Sequence, residues 1–238
     1  MRAIILAAGR GERMRPLTDI TPKPLLCVRG KPLIEFHIEA LAAAGLRDIV
    51  INTAWLSEQF PARLGDGSRF GVRLHFSDES KEPVGALETA GGIVRALPLL
   101  GADDDEAFWV VAGDVFLPDF AFPKDAAERF LRSDLDAHLW LAPNSPHHPK
   151  GDFGIDPQGL ALGTEAPADT PRYTWASVGL FRRRLFEPLV AGAKAALRPS
   201  LEDAIRRHKL GAEMLNGRWV DVGTPERLAA LQEPAART

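Results

Sequence analysis

A glycine-bearing loop, a proline-framed lysine and two isolated carboxylates are the residues of this chain best suited to chemistry on phosphates. The segment Leu6-Ala7-Ala8-Gly9-Arg10-Gly11-Glu12-Arg13-Met14-Arg15-Pro16 runs from an apolar stretch straight into glycines. Gly9 and Gly11 carry no Cβ, so backbone N–H groups there can approach phosphate oxygens. Arg10, Arg13 and Arg15 add the positive charge that suits a polyphosphate. Two common phosphate loops are excluded. Met14 stands where the third glycine of a dinucleotide fingerprint belongs, Pro16 hinders the helix that should follow, and no Gly-Lys-Ser/Thr of a P-loop occurs. The bland alternative for the loop alone is a tight surface turn with solvated arginines. Lys23 follows between Pro22 and Pro24, which fix φ and remove two backbone donors, so a stiffly held lysine can serve one fixed anion. Gly113-Asp114 ends an apolar run at 108–112. A carboxylate at the C-terminal tip of a central parallel strand points into the crevice where open α/β sheets bind ligands. One carboxylate plus substrate phosphates is the usual way of holding Mg²⁺. Asp221, in Trp219-Val220-Asp221-Val222-Gly223-Thr224, is the second candidate. It lies in an otherwise apolar stretch, where a carboxylate needs a partner that a metal could supply. Thr224 is better placed than Asp221 to cap the helix opening at Pro225.

Those residues need elements to carry them. Residues 3–7 form a wholly apolar run, read as a buried central strand. Pro32 opens a helical pattern that Gly45 stops. Strands are predicted at 48–52, 72–76 and 108–112, with a helix over 89–97. This β-α-β-α-β order predicts a largely parallel sheet with helices on both faces. In the second half, 135–142 and 174–181 read as strands with a loop-and-hairpin region between them. Residues 185–195, 200–209 and 225–232 read as helices, with 218–222 a short strand or loop. Ser200-Leu201-Glu202-Asp203 has the form of a capping box. No linker divides the chain, so one domain is expected over 1–232, with a frayed tail at 233–238.

Composition narrows the function classes. The 238 residues include 45% hydrophobic and 26% charged residues, with a formal charge of −3. A dedicated nucleic-acid binder is usually basic, so that class is disfavoured. No apolar run approaches the ~20 residues of a membrane span. The apolar start is too short for a signal peptide and ends at Arg10 and Glu12. Cys27 is the single cysteine, which excludes an internal disulfide and fits the reducing cytoplasm. It reads as a buried small hydrophobe. Asp103-Asp104-Asp105-Glu106 reads as a solvated turn and Arg182-Arg183-Arg184 as a solvated corner. Trp55, Trp109, Trp140 and Trp175 read as core or pocket wall.

Together the motifs resemble the sugar-nucleotide pyrophosphorylases, nucleotidyltransferases that join a nucleoside triphosphate to a sugar 1-phosphate. Their signature is Gly-x-Gly-Thr-Arg-Leu-x-Pro-x-Thr, followed by Pro-Lys-Pro-Leu. The chain reads Gly9-Arg10-Gly11-Glu12-Arg13-Met14-Arg15-Pro16-Leu17-Thr18 and Pro22-Lys23-Pro24-Leu25, with Glu12 for threonine and Met14 for leucine. Leu87-Glu88-Thr89-Ala90-Gly91-Gly92 carries the Thr-Ala-Gly of the family's base loop, and Asp114 and Asp221 match its metal aspartates. The resemblance covers about residues 3–230. It implies a single-domain, three-layer α/β/α nucleotidyltransferase fold, Rossmann-like with a mixed, mainly parallel central sheet. A nucleotide-binding half of about 1–115 and a sugar-binding half of about 116–232 follow from it.

The resemblance also implies roles. Arg13, Lys23, Asp114 and Asp221 would be catalytic, with Mg²⁺ on the two aspartates. Nucleotide contacts would come from Ala8, Gly9, Gly11, Glu12, Arg13, Lys23, Glu79, Glu88, Thr89 and Gly113, and sugar contacts from Gly151, Asp152 and Ser177. Within the family, the Gly-Glu-Arg-Met-Arg-Pro variant, Ala86-Leu87-Glu88-Thr89 and the Asn144, His147-His148, Gly151-Asp152-Phe153 segment are most similar to the branch that transfers UMP to N-acetylmuramate 1-phosphate. UTP and that sugar phosphate are the implied substrates, for a monomer or small homo-oligomer in cell-wall sugar salvage. His147 and His148 could meet a metal or the lactyl carboxylate of that sugar, although adjacent side chains point in different directions. The alternatives are a guanylyl-, thymidylyl- or uridylyltransferase for mannose or glucose 1-phosphate, and a catalytically idle sugar-nucleotide sensor. A dinucleotide-dependent oxidoreductase is disfavoured by the missing third glycine and by Pro16.

Overall fold

Apolar residues alternate along the central strands and so divide the core between two faces of one sheet. In the strand Arg2–Leu6 (β1), Ala3 and Ile5 join one cluster and Ile4 the other. Asp48–Thr53 (β2) repeats this with Ile49 and Ile51 against Val50, and Ala107–Ala112 (β4) with Trp109 and Val111 against Phe108 and Val110. Strands buried on both faces are what parallel sheets require. Arg73–Asp78 (β3), Ala137–Ala142 (β5), Thr174–Arg182 (β6) and Leu210–Met214 (β7) complete seven strands in the order β7-β5-β6-β4-β1-β2-β3. All neighbours are parallel except β6, which runs antiparallel to both β4 and β5. The computed structural model describes residues 1–83, 85–101 and 107–233; the acidic run at 103–106 lies outside the described residues.

Helices cover both faces. Leu33–Ala43 (α1) and Lys124–Arg132 (α3) pack on the first cluster; Glu88–Ala96 (α2) and Leu197–Arg206 (α4) pack on the second. This is the three-layer, mainly parallel arrangement the sequence implied. Pro225–Ala230 (α5) belongs to a third, smaller cluster in which Leu228 and Leu231 meet Met14, Val28, Leu33, Phe116 and Val222.

Several local readings are corrected. The helix expected over 185–195 is a 3₁₀ turn at Arg183–Phe186 followed by turns, since Pro188 and the left-handed Gly192 (φ 79°) stop it. The next helix begins at Leu197 rather than 200, with Pro199 tolerated in its first turn. Ser200 therefore lies inside the helix, and the end is capped by no side chain. Strand β7 and helix α3 were not foreseen. Cys27 is half-buried rather than buried. Arg182 is buried, and its guanidinium donates to the carbonyls of Phe130, Leu131, Ser133 and Leu135, closing the C-terminal end of α3. Arg184 (2.5 Å) and Arg207 (2.7 Å) both bind the buried carboxylate of Asp136, so this corner is an internal ion network.

His37 links α1 to the turn that follows β4. It is 1% exposed, and its Nε2–H donates to the carbonyl of Val115 at 2.9 Å, which fixes the neutral tautomer. Burial pulls its pKa down from 6.5 to about 4. The unfolded chain therefore binds a proton between those values while the folded one does not, and stability falls as pH drops through that window, by about 3 kcal/mol in total. Urea midpoints at pH 7 and pH 4 check this. In His37→Gln, which retains a donor, the pH-dependent loss should shrink by most of that amount; equal losses in both proteins would assign the effect to other groups.

Candidate active site

A cavity of about 580 Å³ opens at the C-terminal ends of β1, β2 and β4. Its floor is the loop leaving β1. The amide of Ala7 donates to Asn52 Oδ1 (2.8 Å) and that of Gly113 to the Leu6 carbonyl (2.8 Å), tying the loop to both neighbouring strands. Gly11 is left-handed (φ 68°), and a Cβ there would lie 3.0 Å from Thr18 Cγ2 and 3.2 Å from Lys23 Cβ. Only glycine lets the loop pass so close to the lysine. Around Gly9 the equivalent space is open. A 3₁₀ turn, Glu12–Met14, ends the loop and drops Met14, 1% exposed, into the cluster with α5.

The three loop arginines divide. Arg10 is committed internally, donating to the Thr18 carbonyl (2.7 Å) and Asp19 (2.8 Å) with its guanidinium 3.7 Å above the Trp55 ring. Arg15 also binds Asp19, at 2.9 Å, and these two guanidiniums hold the Asp19 carboxyl below its ordinary range. Arg13 alone is exposed on the cavity wall with no ion pair among the described residues.

One cation–carboxylate pair lines the cavity and a second lies beside it, next to the lining residue Gly223. Lys23, in the 3₁₀ turn Lys23–Leu25, is 6% exposed and its Nζ lies 2.8 Å from Asp114 Oδ2. Immediately after Asp114, Val115–Phe116 forms an antiparallel ribbon with Val220–Asp221 that sets Asp221 opposite Val115. Asp221 Oδ2 accepts from Arg227 Nη1 at 2.7 Å, and His147 Nε2 stands 3.9 Å from it. A Cβ on Gly223 would lie 2.9 Å from Asp221 Oδ2 and 3.3 Å from Arg13 Nη2, so glycine there lets these groups gather at the cavity edge. Thr224 caps α5 by accepting from the Arg227 amide at 3.4 Å.

No cluster of three or more His, Cys, Asp or Glu capable of caging a metal occurs among the described residues. The donor set is two hard carboxylates beside a phosphate-type loop. That set fits Mg²⁺, which takes one or two carboxylates and completes its shell with substrate phosphates and water.

At one end, Glu88 (φ 61°) and Thr89 start α2 and line the cavity. Glu79 is buried behind them. Its Oε1 accepts from Asn52 Nδ2 (2.8 Å) and its Oε2 from the Leu87 amide (2.9 Å), so its carboxylate orders the loop above β3. A smaller cleft of about 240 Å³, lined in part by Trp55, Glu79, Gly85 and Ala86, adjoins the main cavity. At the other end, Ser177 lines the cavity from an irregularity in β6 between Trp175 and Gly179, in the left-handed region (φ 60°). Gly151 and Asp152 lie beyond the cavity walls. A Cβ on Gly151 (φ 62°) would fall 2.8 Å from Asn144 Oδ1. Asp152 accepts from the Trp175 amide (2.9 Å) and contacts His148 Nε2 (3.2 Å). The paired histidines thus diverge, one toward Asp221 and one toward Asp152.

Of the residues named from sequence, Ala8, Gly9, Gly11, Glu12, Arg13, Lys23, Glu88, Thr89, Asp114 and Ser177 line one cavity. Gly113 and Asp221 are not on its lining but sit next to residues that are, Gly113 bonded to Leu6 and Asp221 beside Gly223. Asn52 and Arg227 escaped the sequence reading. A polar residue near the tip of a central strand, and an arginine in a helix's first turn against the helix dipole, were the available signals.

The nucleotidyl transferase family model matches residues 2–237. N-acetylmuramate alpha-1-phosphate uridylyltransferase of Neisseria meningitidis serogroup B is 47% identical over 233 residues, covering 98% of this chain and 97% of that protein. Glucose-1-phosphate thymidylyltransferase of Streptomyces griseus is 31% identical, and the match spans 94% of this chain but only 62% of that longer relative. A solved structure from Bacillus anthracis, in complex with a sucrose, shares the fold at a TM-score of 0.81 and 22% identity, covering 98% of this chain and 94% of that one. No helix among the described residues is long and apolar enough to cross a membrane.

Proposed function

Because the chain belongs to the nucleotidyl transferase family, we propose that it joins UTP to N-acetylmuramate α-1-phosphate, giving UDP-N-acetylmuramate and pyrophosphate. The observation that carries the reaction class is a glycine loop and the Lys23–Asp114 pair lining one cavity, with the Asp221–Arg227 pair beside it behind Gly223. The relative at 47% identity over nearly the whole of both chains supports the substrate pair. Nucleotide recognition falls to residues 1–115 and sugar recognition to 116–232.

A phosphate oxygen of the sugar substrate attacks the α-phosphorus of UTP in line. The new P–O bond forms as the bond from the α-phosphorus to the bridging oxygen breaks, and pyrophosphate leaves with that electron pair. The nucleophile is already ionised at neutral pH, so no side chain need act as general base. Catalysis then reduces to positioning and charge neutralisation. Backbone N–H groups of residues 8–13 hold the β- and γ-phosphates, and Arg13 neutralises the departing pyrophosphate. Lys23 serves the α-phosphate. Asp114 and Asp221 would hold Mg²⁺, which supplies positive charge to the phosphates of both substrates when bound. Glu88 and Thr89, backed by Glu79, face the base; Ser177, with Gly151 and Asp152 behind it, faces the sugar. The protein acts as a monomer or small homo-oligomer, and the reducing cytoplasm suits its free thiol.

Pyrophosphate release over a grid of UTP, GTP and dTTP against N-acetylmuramate, N-acetylglucosamine, glucose and mannose 1-phosphates tests the proposal. Metal-dependent turnover is expected only with UTP, and best with the muramate. Preference for GTP or dTTP with a neutral hexose phosphate would keep the reaction and overturn the substrates. Silence across the grid in protein that binds nucleotide would point to a sensor.

A further inference from the structure

Each carboxylate assigned to the metal already has a cation on it. For Asp114 that cation is Lys23, which also serves the α-phosphate in the proposed mechanism. For Asp221 it is Arg227, which has no role so far. Arg227 is the third residue of α5, close to the positive end of the helix, where a cation is disfavoured. In a capping box the third residue would be Glu or Gln turned back on the cap. Here the side chain turns back past the cap instead, meeting the Asp221 carboxylate at 2.7 Å and its carbonyl at 3.4 Å. Leu228 and Leu231 are buried against Met14 and Val222, so the helix that delivers the guanidinium is fixed to the same cluster that anchors the phosphate loop. The other charged or titratable groups facing Asp221 are His147, 3.9 Å away, and Arg13 across Gly223.

We propose that Arg227 is a positioning residue that occupies Asp221 in the nucleotide-free protein and keeps the divalent cation out until a triphosphate arrives. This rests on the assignment of Asp221 as a metal ligand. A carboxylate held by a guanidinium is oriented, but a second cation on it brings like charges together. Around Asp221 itself, the guanidiniums of Arg227 and Arg13 set two positive charges against its one carboxylate. A bound triphosphate reverses that balance, and the metal then shares Asp221 at little electrostatic cost. Arg227 and the metal are thus competing ligands of one carboxylate, with a negative coupling that the nucleotide relieves.

Mn²⁺ serves as the probe, with free Mn²⁺ followed by its EPR signal in titrations of the whole protein with and without UTP, corrected for Mn²⁺ bound to UTP alone. The wild-type protein should take up Mn²⁺ weakly alone and much more tightly with UTP. Arg227→Gln should raise the affinity of the nucleotide-free protein by at least about fivefold, the low end of ordinary coupling between sites. Arg227→Lys should stay near wild type, and adding Asp221→Asn to Arg227→Gln should remove the gain. Unchanged or weaker Mn²⁺ binding in Arg227→Gln overturns the proposal, as does a gain that survives Asp221→Asn. The wild-type titration decides the matter even if the variants do not fold, because equal affinity with and without UTP also overturns it. Wild-type protein that takes up no Mn²⁺ even with UTP would sink the metal assignment itself, a different failure from that of Arg227.

Discussion

Asp114→Asn is expected to lower kcat/KM about 10³-fold in protein that remains folded. The asparagine has the same shape, so the turn after β4 and the ribbon with Val220–Asp221 persist. What disappears is the charge that would hold Mg²⁺ and balance Lys23. Asp114 is 40% exposed at its side chain whereas Lys23 is 7% exposed, so the cost of breaking the pair falls mainly on the lysine. A stability loss of roughly 1–3 kcal/mol follows from leaving that ammonium without its charge partner. Pyrophosphate release and a urea melt on the same preparation separate the two effects. Near-normal turnover would remove Asp114 from the reaction; unfolding at ordinary temperature would make its role structural.

Lys23→Ala should lower kcat by about 10²–10³-fold while KM for UTP moves by only a few fold. The reasoning is geometric. Pro22 and Pro24 fix the backbone on both sides, the 3₁₀ turn Lys23–Leu25 is closed by its own bonds, and the Gly11 loop presses against the lysine's β-carbon. Lys23→Arg should not rescue, because a planar guanidinium cannot present the compact charge that the buried ammonium sets against Asp114. The largest contribution is expected where charge develops, on the α-phosphate as it passes between oxygens. A variant with normal kcat and only weaker UTP binding would make Lys23 a binding residue alone.

The first half of the chain was legible because its apolar runs are short, bounded by glycine or proline, and spaced by amphipathic stretches. The second half was harder for identifiable reasons. β7 carries Gly211 and Glu213 in five residues, so neither alternation nor a continuous apolar run marks it, and its pairing with β5 decides it. The Ser200 capping signal was real in composition but lost to tertiary packing, which buries Leu197 and so starts the helix one turn earlier. Within the site, motif residues that touch ligand in the resemblance could be read one by one. Residues that act on other residues could not. Asn52 matters because it bridges the Ala7 amide and Glu79, 45 positions before it and 27 after, and nothing local in the sequence announces those bonds.

The order in which the sheet is assembled has a consequence for biosynthesis. β1 lies inside the sheet between β2 and β4 and pairs Arg2 with Phe108, so its second neighbour arrives more than a hundred residues downstream. Asp221 and the helix that buries Met14 come later still, along with the edge strand β7. At synthesis rates of roughly 5–20 residues per second, the glycine loop after β1 leaves the ribosome many seconds before the residues that close the far end of the cavity. A nascent chain can thus hold most of its sheet and still lack a complete crevice. A stop codon anywhere before Leu231 should release a chain whose Met14 has lost its cover.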